Sequence, residues 1–254
     1  MRDAFGQPQS AIIFGGTSEI AQATLRQLVA KRLDRVVLVG RSAEALGAMK
    51  DELLASGCSS VELVFSNAAD QSSAARAVDE AFSALGQPVD LVLMAVGLLG
   101  DQAKDDDSPN RTAEMFTVNT TWPAAILAGV RGRLVTQGYG HIVVLSTVAG
   151  IRTRKANYTY GAGKMGLDGF CRGLAASLSG TGVTVQIVRP GFVTTKMTAH
   201  LDKAPFSTTA DAVATVIVEG LSKKTTVLYA PSVLKYVFVL LRHLPEFIWR
   251  RLPG

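Results

Sequence analysis

The sequence predicts an α/β fold, a doubly wound parallel sheet in a single domain. Three observations predict it. Short apolar runs alternate with stretches of helical length along the chain. The runs carry Val, Ile and Leu on consecutive positions, as strands covered on both faces require. The length, 254 residues with 48% hydrophobic, suits one α/β unit with a large core.

The expected strands, in order, are Ala11–Phe14, Val36–Val39, Val61–Phe65, Leu91–Ala95, Ile142–Leu145 and Val185–Val188. Between them the helical stretches are Glu19–Lys31, Ala43–Ser56, Gln71–Leu85, Thr112–Gln137 and Asn157–Ser179. Strand–helix alternation at this spacing gives parallel strands joined by crossover helices. The run Asp101–Asn110, DQAKDDDSPN, reads as an exposed, solvated loop. Residues 1–230 read as the α/β unit itself, and 231–254 as a basic, apolar extension of the same domain.

Composition narrows the function. Cys58 and Cys171 are far apart and match no metal-ligand spacing, so they read as buried thiols in a reducing compartment, and no metal site is expected. No signal peptide is evident in the short polar start Met1–Ser10, which points to the cytoplasm. The net charge of +5 lies in the tail. From Lys223 onward there are six basic residues, Lys223, Lys224, Lys235, Arg242, Arg250 and Arg251, against Glu246. A nucleic-acid surface needs cations spread along a binding face, so nucleic acid is not expected as a partner.

The first strand runs into Gly15-Gly16-Thr17-Ser18-Glu19-Ile20-Ala21. A tight turn entering a helix presents backbone N–H groups and the positive end of the helix dipole to a pyrophosphate. The usual fingerprint has three glycines, and here Glu19 and Ala21 take the later two positions. Thr17 and Ser18 either donate to a phosphate or cap the helix. After the second strand, Gly40 stands where an acid would hold a ribose 2′-hydroxyl, and Arg41 follows. A guanidinium pairs with a 2′-phosphate, so NADPH is favoured as cofactor, with NADH as the alternative.

Tyr160 and Lys164 lie four residues apart on one helical face. A cation beside a phenol favours the phenolate, which lets the phenol exchange a proton near neutral pH. Thirteen residues before Tyr160, a strand ends in Ser146-Thr147; beyond the helix comes Arg189-Pro190-Gly191-Phe192-Val193-Thr194-Thr195. Asn119 sits inside a helical stretch, where Asn is a poor choice. Tyr158 lies six residues before Lys164, off the shared face, and reads as a packing or mouth-lining residue.

These motifs together resemble the short-chain dehydrogenase/reductase family over essentially the whole chain. The resemblance implies a Rossmann-type fold and a catalytic set of Asn119, a hydroxyl at Thr147 or Ser146, Tyr160 and Lys164. The thirteen-residue spacing selects Thr147. It implies cofactor contacts at Gly15, Thr17, Ser18, Glu19, Ile20 and Arg41, at Asn67 near the adenine, and at Ala95, Val96 and Gly97. Pro190, Gly191, Val193 and Thr195 would sit by the nicotinamide, and Tyr160 and Lys164 would contact it too. Lys164 would lower the Tyr160 pKa and hold the ribose. Asn119 would position a water. The segment Met94-Ala95 replaces two Asn usual in the family, which removes some hydrogen bonds supporting the sheet.

Within that family, the first turn Gly-Gly-Thr-Ser-Glu-Ile, the segment Val96-Gly97-Leu98-Leu99-Gly100-Asp101 and the Arg242-His243-Leu244-Pro245 step are similar to decaprenylphosphoryl-2-keto-ribose 2-reductases. That resemblance implies a lipid-linked 2-ketopentose as substrate, a flavoprotein oxidase as partner, and a role in arabinan synthesis for the cell wall. The alternatives are a reductase of another apolar ketone, ketoacyl or sterol-like, and a catalytically silent cofactor-binding protein. The tail has at most about ten consecutive apolar residues, against roughly 20 for a spanning helix. Mixed aromatic and basic residues suit peripheral contact with a membrane; the other reading is a helix packed on a partner in a homo-oligomer.

Overall fold

The computed structural model describes residues 7–86, 88–249 and 251. The opening residues Met1–Gly6 and the tail cation Arg250 lie outside them.

Seven parallel strands form one sheet: β1 (Ser10–Phe14), β2 (Arg35–Gly40), β3 (Ser60–Phe65), β4 (Leu91–Met94), β5 (Gly140–Leu145), β6 (Val183–Pro190) and, at the far edge, β9 (Val227–Ala230). A short pair, β7 (Val193–Thr194) with β8 (Thr208–Thr209), lies outside the sheet. The spatial order is β3-β2-β1-β4-β5-β6-β9. The helices are α1 (Glu19–Val29), α2 (Ala43–Ala55), α3 (Ser73–Leu85), α4 (Gln102–Asp105), α5 (Pro109–Phe116), α6 (Trp122–Gln137), α7 (Tyr158–Ser177), α8 (Ala210–Gly220), α9 (Leu234–Leu241) and α10 (Glu246–Trp249).

Successive strand residues point to opposite faces, and both faces are buried. Ile12 and Phe14 join Trp122, Ile126 and Leu167 on one side; Ala11 and Ile13 join Leu25, Leu46 and Ile217 on the other. This is why the strands need apolar residues at consecutive positions. The strand order reverses between β1 and β4, which opens a crevice at the carboxyl ends of the strands.

Two expectations need correction. Thr112–Gln137 is not one helix: α5 and α6 are joined by a π-helical turn, Thr117–Thr121. Pro123 has no N–H to give the Asn119 carbonyl four residues earlier, so a regular α-helix cannot run through. Asp101–Asn110 is not a plain solvated loop: it holds α4 and the start of α5. Asp105 is buried there, accepting from the Asp101 N–H (2.9 Å) and from Arg111 (3.3 Å). At Met94-Ala95 the backbone keeps the sheet joined: Met94 pairs with Phe14 and the Ala95 N–H donates to the Phe14 carbonyl at 2.7 Å. Cys58 and Cys171 are buried and free, and burial pushes their thiols up to about 11 and about 12.

Candidate active site

The β1–α1 turn lies against the ends of β2 and β4. The N–H groups of Gly15 and Gly16 both donate to the Val39 carbonyl (2.9 and 3.0 Å). Gly15 has φ +93°, and a Cβ there would stand 2.8 Å from the Ala95 carbonyl carbon. Only glycine suits that conformation and that approach. Ser18 caps α1 through the Ala21 N–H, while Thr17 is exposed at the turn and Ile20 is half-buried. Glu19 does something the sequence did not suggest: its carboxylate accepts the Lys196 N–H at 2.6 Å, across the mouth of the crevice. Arg41 is exposed just past β2, before the Ser42 cap of α2. Asn67 turns its amide oxygen to the Ala69 N–H after β3. A glycine cradle at a helix N-terminus, with a free-facing guanidinium beyond β2, fits a phosphate-bearing dinucleotide.

The second half of the site comes from β5, β6 and α7. Thr147 lies two residues past β5 and faces the Tyr160 phenol, to which its hydroxyl hydrogen-bonds. It also reaches the Pro190 carbonyl at 3.5 Å and accepts the Ala149 N–H. Burial pushes Tyr160 up to about 12, although the Thr147 hydrogen bond pulls the other way. Lys164 is pushed down to about 8 by burial. Its ammonium donates to the carbonyls of Val96 (3.0 Å) and Leu145 (3.1 Å), bridging the ends of β4 and β5 beside Gly97. The ammonium thus rests on two strand-end carbonyls, and burial is the larger influence on the phenol.

Of the two candidate hydroxyls, Ser146 lies off the site. The pleat turns it away from Tyr160, and its hydroxyl donates to Asp168 at 2.9 Å. Asp168 is the hub of a buried network that the sequence did not reveal. It takes a bidentate pair from Arg189 (2.8 and 2.6 Å) and a bond from Arg172 (3.0 Å). Arg189 also donates to the Tyr229 hydroxyl at 2.7 Å. Burial raises the Asp168 carboxyl, but Arg189, Ser146 and Arg172 together hold it below the usual range. The network ties the catalytic helix α7 to β5, β6 and β9, immediately behind Thr147 and Pro190.

Asn119 is fully buried in the π-helical turn. Its amide accepts the Leu98 N–H (3.0 Å) and donates to the Leu98 carbonyl (2.8 Å), which fixes the chain leaving β4. Thr120 donates to the Gly163 carbonyl, between Tyr160 and Lys164, at 2.6 Å. A Cβ on Gly163 would stand 3.1 Å from the Asn119 Cβ, so glycine there lets the turn close on α7. Tyr158 is exposed and donates to Asp106.

Beyond β6, the Gly191 N–H donates to the Ala230 carbonyl (2.9 Å), and a Cβ on Gly191 would strike Leu234 of α9 at 2.7 Å. Val193 pairs with Thr208, and Thr195 caps the short helical turn Lys196–Thr198. Residues 195–207 thus make a flap beside the crevice, with Met197, Leu201 and Phe206 exposed. Among the described residues no group of His, Cys, Asp and Glu is placed to hold a metal.

The structure thus gathers Asn119, Thr147, Tyr160 and Lys164 where the crevice opens, and it leaves Ser146 behind them. A sequence profile described as short chain dehydrogenase matches residues 9–205. An uncharacterised oxidoreductase of Streptomyces coelicolor is 40% identical over 253 residues, 99% of this chain and 98% of its own length. An uncharacterised oxidoreductase of Mycobacterium tuberculosis is 38% identical over 242 residues, 95% and 96% of the two chains. Among solved structures, an actinorhodin polyketide ketoreductase with NADPH superposes with a TM-score of 0.76 at 22% identity, over 87% of this chain and 95% of that one.

Proposed function

Since the chain belongs to the short-chain dehydrogenases and is an NAD(P)-dependent oxidoreductase, we propose that it reduces the 2-keto group of a polyprenylphosphoryl pentofuranose in arabinan precursor synthesis. The observation that carries the substrate class is the apolar wall beside the catalytic hydroxyls. Val148 and Ile151 follow Thr147 and pack on Leu234 and Phe238 of α9, so the tail reaches the catalytic cleft.

When bound, the reduced nicotinamide supplies the hydride to the carbonyl carbon. The chain's own residues do the rest. Thr147 donates a hydrogen bond to the carbonyl oxygen, and Tyr160 gives that oxygen its proton. Lys164 holds the ribose, and Asn119 keeps the β4 exit in place. Gly15, Thr17, Ser18 and Ile20 line the pyrophosphate turn, with Glu19 at its edge. Asn67, Ala95, Val96 and Gly97 bound the adenosine side, and Pro190, Gly191, Val193 and Thr195 the nicotinamide side. Arg41 selects NADPH over NADH by pairing with the 2′-phosphate. Two partners follow from the chemistry: a flavoprotein oxidase that makes the ketone from an alcohol, and a second copy of this chain, for which exposed Phe116, Met165 and Phe170 on α5 and α7 offer an apolar face.

The test is NADPH oxidation with a panel of ketones that includes a short-chain polyprenylphosphoryl 2-ketopentose. Strong preference for the lipid-linked sugar is the expected result, and preference for ketoacyl or sterol-like ketones overturns the substrate. Arg41→Ala should weaken NADPH by about ten- to hundredfold, the worth of one charge-assisted contact, and spare NADH.

A further inference from the structure

The last turns of the chain have two faces. Inward, Leu234 and Phe238 pack on Val148, and Trp249 is buried with its indole N–H on the Thr153 carbonyl at 3.0 Å. Arg152 fastens this face. It donates to the carbonyls of Leu241 (3.1 Å) and Leu244 (2.6 Å), pairs with Glu246 and lies over the Trp249 ring at 4.5 Å. The tail is therefore anchored, and what it turns outward is held there.

Outward stand Tyr236 (72% exposed), Val239 (52%) and Leu240 (69%) on α9, and Phe247 (66%) with Ile248 on α10. At helical spacing these α9 positions share one side. Lys235 and Arg242 flank them, both exposed, and Lys235 lies 5.9 Å over the Tyr236 ring. Arg251 is exposed beyond Phe247. Glu246, the acid of this segment, is taken up by Arg152, so the outward cations stand without an acid of their own segment to balance them. Across the Gly191 turn, which faces both Leu234 and Phe206, the flap exposes Met197, Leu201 and Phe206 among Lys196, Asp202 and Lys203. Two apolar patches thus border one opening, and the one on the tail carries the excess of cations.

We propose that this face of α9 and α10, with the flap beside it, docks on an anionic lipid surface and sets the catalytic cleft against it. Among the described residues no helix is long and apolar enough to cross a membrane, so the contact is peripheral. Exposed rings and aliphatic side chains enter the interface and the cations meet the lipid phosphates. A face that packs on a second copy presents the same cations to itself, and they repel, whereas an anionic surface attracts them. The docking rests on the surface alone; only what the membrane delivers rests on the reading of the substrate above.

Deleting the tail is a poor test, because Leu234, Phe238 and Trp249 fill the core beside the site. The outward variant Tyr236→Ser/Leu240→Ser/Phe247→Ser leaves those anchors untouched, and Lys235→Glu/Arg242→Glu reverses the rim. The assay is flotation with vesicles of phosphatidylglycerol and phosphatidylcholine in equal parts, against phosphatidylcholine alone, at low and high salt. The wild type should float with the anionic vesicles at low salt. Its bound fraction should fall at least about tenfold in high salt, on neutral vesicles and in both variants. Reduction of a water-soluble ketone should be unchanged in the variants, which separates loss of docking from failure of the active-site reading. Wild type that stays in solution overturns the proposal, as does binding that both variants retain. A serine variant that turns a wild-type dimer into monomer in sedimentation, without any flotation of the wild type, assigns the face to a second copy instead.

Discussion

Tyr160 and Lys164 carry opposite shifts from the same cause, and the signs decide what a pH profile should show. Burial favours neutral forms: the phenol keeps its proton up to about 12, and the ammonium gives its proton up at about 8. Carbonyl reduction needs the phenol protonated and the lysine charged. The alkaline limb of kcat/KM, which reports the free enzyme, is therefore expected near pH 8 and belongs to Lys164. Lys164→Arg should move that limb out of the measurable range whatever its residual rate. A limb near pH 8 that persists in that variant assigns it elsewhere. The hydroxyl role is equally specific. Thr147→Val should cut turnover by about a hundredfold or more, the usual scale for removing one hydrogen-bond donor to a developing oxyanion. Ser146→Ala should keep turnover within a few-fold, since its hydroxyl serves Asp168. A reversed ranking of the two in steady-state kinetics would move the role to Ser146. Spacing had favoured Thr147 from the sequence, because side chains alternate along a strand. The pKa relation of the pair was not legible there, because it depends on where the Lys164 side chain folds back to.

At the level of elements, α1, α2, α3, α6, α7 and six strands could be read from pattern alone, while α8 was passed over. Those that escaped did so for local reasons. β9, Val-Leu-Tyr-Ala, is an edge strand with three of its four residues only half-buried, so it lacks the fully covered surroundings that mark the central strands. The break at Thr117–Thr121 hides inside an otherwise helical run, and Asn119 with Pro123 is its only trace in the sequence. Asp105 escaped because an acidic run looks solvated until Arg111 folds back on it. Asp168 escaped because its main partner, Arg189, is 21 residues away on another element. That pair sets the element-scale prediction. Both side chains are buried, 7% and 6% exposed, so removing one charge strands the other. Asp168→Ala should cost about 3–5 kcal/mol in urea denaturation, as breaking buried ion pairs does. Because the Asp168 carboxyl sits below its ordinary value, its contribution is present above about pH 4 and is lost as pH falls through the folded pKa. A cost under about 1 kcal/mol would show that the pair does not hold α7 to β6.

For the whole molecule, alternation of strands and helices announced a parallel sheet, but not the order of its strands. That order follows from crossovers that return the chain to the middle after β3 and bring β4 beside β1. Only then do residues far apart in sequence, Gly15, Gly97, Thr147 and Gly191, stand around one opening. The tail was legible in composition and only half legible in position. Its charge and rings were plain, yet which rings turn inward depends on Arg152, Val148 and Thr153, three residues on another part of the chain. The contact between Glu19 and the Lys196 N–H closes the same opening from the other side. It places a carboxylate where an incoming pyrophosphate has to approach, and it makes that carboxylate a tether of the flap. Loading the nucleotide is therefore expected to displace the carboxylate and free the flap, so the two ligands should enter in a fixed sequence. A protease that cuts after Lys203 should then cleave wild type faster with nucleotide than without, whereas Glu19→Gln should narrow that difference. Equal cleavage rates in all four conditions would show that the flap ignores what occupies the turn.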